Sequence, residues 1–164
     1  MASIKLIRVD SRLIHGQVIT KWLKISGANR IIIIDDNLAQ DSFMADIYMM
    51  AAPRGTSVEI LDTQKAVDEW KKDELGKGNI LILFKDVSNC YKVFKNGFPI
   101  NELQIGGLAS GPGRTTVLRA VSFDNKDVEE LQEMEDEGTK ITLHIIPEEP
   151  KVEFTKAVRK FKNK

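Results

Sequence analysis

The stretch that decides the fold is Ile4-Lys5-Leu6-Ile7-Arg8-Val9, followed by Gly16-Gln17-Val18-Ile19-Thr20-Lys21-Trp22-Leu23-Lys24-Ile25-Ser26-Gly27 and then Ile31-Ile32-Ile33-Ile34. The first run reads as a strand. In the second, Val18, Ile19, Trp22 and Leu23 recur at helical spacing, and Gly27 suits the residue just past a helix end. The third run is apolar at every position, as a strand buried on both faces of a parallel sheet must be. Strand, helix, strand in that order is a βαβ unit, which joins parallel strands through a crossover.

The alternation continues along the chain. A helix is expected over residues 42–52, stopped before Pro53 and Gly55. A strand follows at 58–61. Asp62 or Thr63 caps a helix that buries Ala66, Val67 and Trp70. Residues 80–84 form a strand, Ser88 caps a short helix ending near Gly97, and residues 103–105 form the next strand. A glycine-rich loop covers 106–113 and a short strand 117–121. Asp124 caps an acidic helix that closes at Gly138. The seventh strand is read at 141–146, before a last helix with Phe154, Ala157, Val158 and Phe161 on one face. This pattern predicts a single α/β domain over residues 1–164, with a mostly parallel sheet of about seven strands and helices on both faces.

The bulk numbers narrow the function. Of 164 residues, 42% are hydrophobic and 29% charged, which supports a packed core rather than disorder. Lys plus Arg equals Asp plus Glu, so the formal net charge is zero and no global field recruits nucleic acid. One cysteine, Cys90, excludes a disulfide framework. The N-terminal run enters a strand directly and does not read as a signal peptide, and no apolar run is long enough to span a bilayer. A cytoplasmic protein is expected.

Function in parallel α/β sheets sits at the carboxyl ends of the strands. At the end of the first strand the chain reads Arg8-Val9-Asp10-Ser11-Arg12-Leu13-Ile14-His15-Gly16-Gln17-Val18. Two arginines, an aspartate and one of two histidines fall within eight residues. Gly16, Gln17 and Val18 form the opening turn of the helix, and their N–H groups lack intrahelical partners, which favours an anion there. A nucleophilic histidine must be neutral, and a helix N-terminus with Arg12 nearby favours the neutral ring. After transfer the same groups face a phosphoryl dianion. Arg12 suits a two-pronged contact with its oxygens. Asp10 either holds Arg12 or fixes the imidazole tautomer, and the residues leave both roles open. Arg8 and Arg12 are expected on the rim where an anionic donor docks.

That run resembles the active-site loop of the mannose/fructose/sorbose family of phosphotransferase system (PTS) IIB proteins, whose form is close to Arg-Ile-Asp-Asp-Arg-Leu-Ile-His-Gly-Gln-Val with a Trp soon after, here Trp22. Ser11 replaces the commoner Asp. The likeness extends to Asp36, Ala39 and Asp41, to Pro53 and Gly55, to Gly106-Gly107, and to Gly138 and Pro147. The resemblance implies a phosphohistidine at His15, loaded from a phosphohistidine on a IIA component and discharged onto a sugar during uptake through membrane IIC and IID components. It implies a sugar phosphotransferase held peripherally at a membrane transporter. No cofactor is implied, the phosphoryl group coming from phospho-IIA. The sugar is not readable from the sequence, and a homo-oligomer stays open.

Other features read as structural. His144 lies on a sheet face opposite Ile141, Leu143 and Ile145. Cys90 lacks a strand-end setting. The loop 106–114 lacks a nucleotide-binding signature and reads as a wall of the His15 pocket. The acidic run 129–137 is a solvated helix face. Lys156, Arg159, Lys160, Lys162 and Lys164 complement the last helix's dipole. Two competing functions remain. A receiver-type module would be phosphorylated on aspartate, using Asp35, Asp36, Asp62 and Lys85, but these occur in the wrong strand order. A non-catalytic sugar-binding module would need exposed aromatics, whereas Trp22 and Trp70 fall on apolar faces.

Overall fold

The computed structural model describes residues 2–163, so Lys164 of the basic end lies outside the described residues. Strand β1 is Ser3–Asp10, helix α1 Gly16–Ser26 and strand β2 Arg30–Ile34. Gly27 ends α1 in the left-handed conformation (φ 74°) and donates its N–H to the Leu23 carbonyl, which glycine permits without steric cost. A short 3-10 turn, Leu38–Gln40, leads into α2, Ser42–Met50. Asp41 caps α2 by accepting from the Met44 amide. Then follow β3 Ser57–Leu61, α3 Thr63–Asp73, β4 Asn79–Phe84, α4 Val87–Lys95 and β5 Glu102–Gly107. Asp62 caps α3. Asp86, rather than Ser88, caps α4 by accepting from the Asn89 amide.

The chain continues with β6 Thr115–Leu118, β7 Val121–Phe123, α5 Asn125–Asp136, β8 Lys140–Leu143, β9 Val152–Glu153 and α6 Phe154–Lys162. A reciprocal capping box between Asp124 and Asp127 starts α5. The main sheet has seven strands in the order β3-β2-β4-β1-β5-β8-β9. All its pairs are parallel except β8–β9.

Two expected strands differ. The run 117–121 breaks at Arg119-Ala120 into the antiparallel hairpin β6–β7, outside the main sheet. The last strand stops at Leu143, although the His144 amide still reaches the Ile105 carbonyl. The chain then turns back, and β9 supplies the seventh strand.

The side chains of β2 show how the sheet is buried. Ile32 and Ile34 join one apolar cluster with residues of α3, α4, α5 and α6. Ile31 and Ile33 join a second with Ile19, Trp22 and Leu23 of α1, against which Met44 and Tyr48 of α2 pack. All four isoleucines have no solvent exposure, and each such burial stabilises by about 1.5–3 kcal/mol. Thus, among the described residues, the second face is covered by α1, α2 and the 3-10 turn, which contributes Leu38. On that face β5 and β8 present Glu102, Gln104, Lys140 and Thr142. Trp22 of α1 lies against Arg8 of β1, and the loop between β1 and α1 opens at the carboxyl end of the sheet centre.

Candidate active site

The chain leaves β1 through a tight turn in which the Leu13 amide donates to the Asp10 carbonyl (2.9 Å) and the Ser11 amide to the Gly107 carbonyl (2.9 Å). Leu13 adopts φ 56°, a left-handed conformation that costs a leucine on the order of 1 kcal/mol. Its side chain is 1% exposed and is buried in the second cluster, which offsets that strain. This bend turns the Leu13 carbonyl to the His15 ring, 3.0 Å from Nδ1. A carbonyl only accepts, so Nδ1 carries the proton in this arrangement. Nε2 is buried, without a hydrogen-bond partner, and stands 3.8 Å from Asp10 Oδ2. His15 is also the N-cap residue of α1, with no side-chain capping bond. Gly16 (φ 48°), Gln17 and Val18 follow as the first turn, the first two exposed.

Asp10 is 1% exposed and fully engaged. Its Oδ1 accepts from the Arg12 amide and from Arg12 Nε, both at 3.0 Å. Its Oδ2 accepts from Arg12 Nη2 and Arg8 Nη2, both at 3.1 Å. Of the two roles the sequence left open, the carboxylate is committed to holding Arg12. Arg12 Nη2 also leans on the Gly106 carbonyl at 3.4 Å. With its side chain 43% exposed, Arg12 lies on the rim beside His15.

Arg8 does not. It is 1% exposed, so it makes no direct contact with a docking partner, and the expectation that it lies on the rim is corrected. Nη1 donates to Gln104 Oε1 and to the His144 carbonyl (2.8 Å), and Nη2 donates to the Ile145 carbonyl (3.0 Å). The guanidinium carbon lies 5.2 Å from the centre of the Trp22 ring, a cation–π distance. Burial lowers the Arg8 pKa to about 10, with Asp10 opposing the shift, so the group is a cation at neutral pH.

Gln104 is a residue that sequence reasoning missed as part of this site, and the contact of Trp22 with Arg8 was not foreseen either. Gln104 is a polar residue between Leu103 and Ile105 in an otherwise buried strand, and that was the signal available. Trp22 packs on the apolar face as expected, but its Nε1 also donates to the Ile145 carbonyl at 3.2 Å.

The remaining candidates have structural roles. The His144 ring meets Trp22 edge-on (4.8 Å between centroids), and its Nε2 lies 2.7 Å from the Glu149 carbonyl. Arg114 ties the glycine-rich loop to the Ala109 and Ser122 carbonyls and to Asp124 and Asp127. The acidic strand ends form no receiver-type pocket. Asp35 accepts from the Leu38 amide and Asn89, Asp36 from Thr63 and Lys92, and Asp62 from the Lys65 amide. Among the described residues, no group of three or more His, Cys, Asp or Glu side chains is placed to hold a metal. No described helix is long and apolar enough to cross a membrane.

The family model described as "PTS system sorbose subfamily IIB component" matches residues 4–164. The PTS system sorbose-specific EIIB component of Lacticaseibacillus casei is 36% identical over 90% of this chain and 90% of its own. The crystal structure of manxB from Thermoanaerobacter tengcongensis superposes with a TM-score of 0.91 at 38% identity, covering 98% of each chain. The IIBSor domain of the sorbose permease from Klebsiella pneumoniae superposes at 0.90 with 32% identity, covering 96% of each.

Proposed function

Because the chain belongs to the sorbose subfamily of PTS IIB components, phosphoryl-transfer modules of sugar uptake, we propose that His15 is its phosphoryl carrier. The observation that carries this reading is the convergence of Asp10, Arg12 and His15 at the carboxyl end of β1, where α1 begins.

In the loading step a lone pair on the His15 ring attacks the phosphorus of a phosphohistidine on a IIA component. The donor's P–N bond breaks, its electron pair stays with the donor imidazole, and that ring takes up the proton His15 gives up. In the discharge step a sugar hydroxyl oxygen attacks phosphorus, the P–N bond breaks with its electron pair returning to the His15 ring, and the hydroxyl proton passes to that ring. With Nδ1–H given to Leu13 and Nε2 enclosed, the ring turns before a lone pair meets the donor.

Arg12, aimed by Asp10, binds the phosphoryl oxygens. The amides of Gly16, Gln17 and Val18 supply the helix-end field. The exposed Arg12 also forms part of the rim that receives IIA. Membrane IIC and IID components present the sugar, and the protein works at the cytoplasmic face, held peripherally by them.

The test is incubation with phosphoenolpyruvate, the general phosphocarriers and a IIA component, followed by mapping of the modified residue by mass spectrometry. One phosphoryl group on His15, absent from a folded His15→Ala protein, is the expected result. A full equivalent accepted by His15→Ala overturns the reading.

A further inference from the structure

We infer that Lys85 is a docking residue for the phosphorylated donor, a cation that offsets Asp35 and Asp86 at the neighbouring strand ends so that the rim attracts an anionic partner. The inference deepens the reading of His15 as the carrier and rests on it.

Strands β2, β4 and β1 are neighbours in the sheet. Ile34 is level with Phe84, and Phe84 with Val9. The next residues on these strands are Asp35, Lys85 and Asp10, so the carboxyl ends set an aspartate, a lysine and an aspartate in one row. Ile34, Phe84 and Val9 all belong to the first apolar cluster. Alternation therefore starts the three polar side chains toward the second face, which α1 covers. Asp35 and Asp10 are buried, whereas Lys85 is exposed.

The charges along this row are unevenly matched. Asp10 holds two arginines, and Asp36 holds Lys92. Asp35 accepts from neutral donors, the Leu38 amide and Asn89 Nδ2. Asp86 likewise accepts from the Asn89 amide and Asn89 Nδ2. The Lys85 ammonium has no hydrogen bond or salt bridge among the described residues. Its charge still reaches Asp35, where it opposes the influence of Asp86.

Arg8 is buried, so of the two arginines of β1 and its loop only Arg12 meets a partner directly. Without Lys85, Asp35 and Asp86 would oppose the approach of a dianionic group to that single exposed arginine. Lys85 cancels part of this repulsion and lets the field of Arg12 act on the donor. A lysine is a point charge on a flexible stem, and Lys85 stands outside the hydrogen-bonded frame that aims Arg12. Its part is therefore attraction of the donor, not orientation of the phosphoryl group.

The test compares Lys85→Ala and Lys85→Glu with Lys72→Glu, which reverses a charge in the last turn of α3, at the opposite end of the sheet. Both lysines are exposed, so these variants remove little buried area. The first readout is single-turnover transfer against phospho-IIA concentration at low and high salt. At low salt the half-saturating concentration should rise about 3-fold in Lys85→Ala and about 10-fold in Lys85→Glu, the scale of one or two unit charges acting on a dianion through solvent. The saturating rate should hold, and high salt should close the gap. Lys85→Arg, which keeps the charge, should restore the wild-type constant, and Lys72→Glu should match wild type. The second readout is the dissociation constant of phospho-IIA from His15→Ala protein, where no transfer follows. Adding Lys85→Glu should raise that constant by a similar factor.

Equal half-saturating concentrations for Lys85→Glu and Lys72→Glu at low salt overturn the inference. So does a Lys85→Glu defect that high salt leaves intact, or one confined to the saturating rate. If wild type accepts no phosphoryl group, the carrier reading fails, while the dissociation constants still decide whether Lys85 receives the donor.

Discussion

The Arg8 guanidinium occupies the space beside Gly106 so closely that a Cβ on Gly106 would fall 2.0 Å from Arg8 Cζ. Gly106→Ala must therefore expel a buried cation from its bond with Asp10. Breaking a buried ion pair in this way costs about 3–5 kcal/mol. Gly16→Ala makes a contrast: its Cβ meets nothing within 4 Å, and only the φ of +48° is strained, at a cost of about 1–2 kcal/mol. Urea denaturation of both variants should separate them in that order. Equal midpoints would show that Arg8 can leave its niche freely.

Cys90 is fully buried, and burial, reinforced by Asp86 and Glu130, pushes its thiol pKa well above the ordinary range. A thiol so placed is neither an available nucleophile nor a reactive one. Native protein should leave Cys90 unmodified by an aromatic disulfide reagent, whereas protein in denaturant should react fully. Cys90→Ala should retain phosphoryl transfer. Loss of transfer in folded Cys90→Ala would move the carrier site away from His15.

Parts of this arrangement were legible in the sequence for local reasons. The βαβ unit from β1 to β2 follows from apolar periodicity, and the Gly27 cap from backbone sterics. The environment of Arg8 was not legible. Its place opposite Ile7 and Val9 puts it on the second face, but its burial depends on Trp22 and on carbonyls 136 and 137 positions away. The β6–β7 turn was hidden because Ala120 takes φ 67°, where a glycine or asparagine would have announced it. Strand β9 has two residues, Val152–Glu153, too few for any periodicity.

Asp35 provides a pH test of the packing at the end of β2. It is 3% exposed. Burial raises its pKa, the Leu38 amide and Lys85 oppose the rise, and Asp86 and Asp36 add to it. The folded protein therefore holds this proton more tightly than the unfolded chain. Its contribution to stability is greatest when the group is protonated in both states, and falls as pH rises from the unfolded value through the higher folded value. Subtracting the denaturation curves of Asp35→Asn from those of wild type removes the other carboxylates. That difference should fall on moving from pH 3 to pH 7; a difference that rises would contradict the assignment.

Arg12→Lys asks whether the rim arginine orients the phosphoryl group or only attracts the donor. Nε and Nη2 are held by the two oxygens of Asp10, so the planar group is aimed before any ligand arrives. In-line phosphoryl transfer spreads charge over the equatorial oxygens, and catalysis comes mainly from positioning and electrostatic stabilisation. A lysine keeps the charge but contacts as a point, and cannot engage both carboxylate oxygens with a planar fork while facing phosphate. The rate at saturating IIA should fall by roughly 10- to 1000-fold, toward the cost of losing one preorganised donor. The half-saturating concentration should change little, because the charge that steers an anionic donor is retained. Arg12→Ala should lose both, and its docking should lose salt dependence as well. A wild-type saturating rate in Arg12→Lys, with weaker docking in Arg12→Ala alone, would reduce Arg12 to steering and leave phosphoryl stabilisation to the first-turn amides of α1.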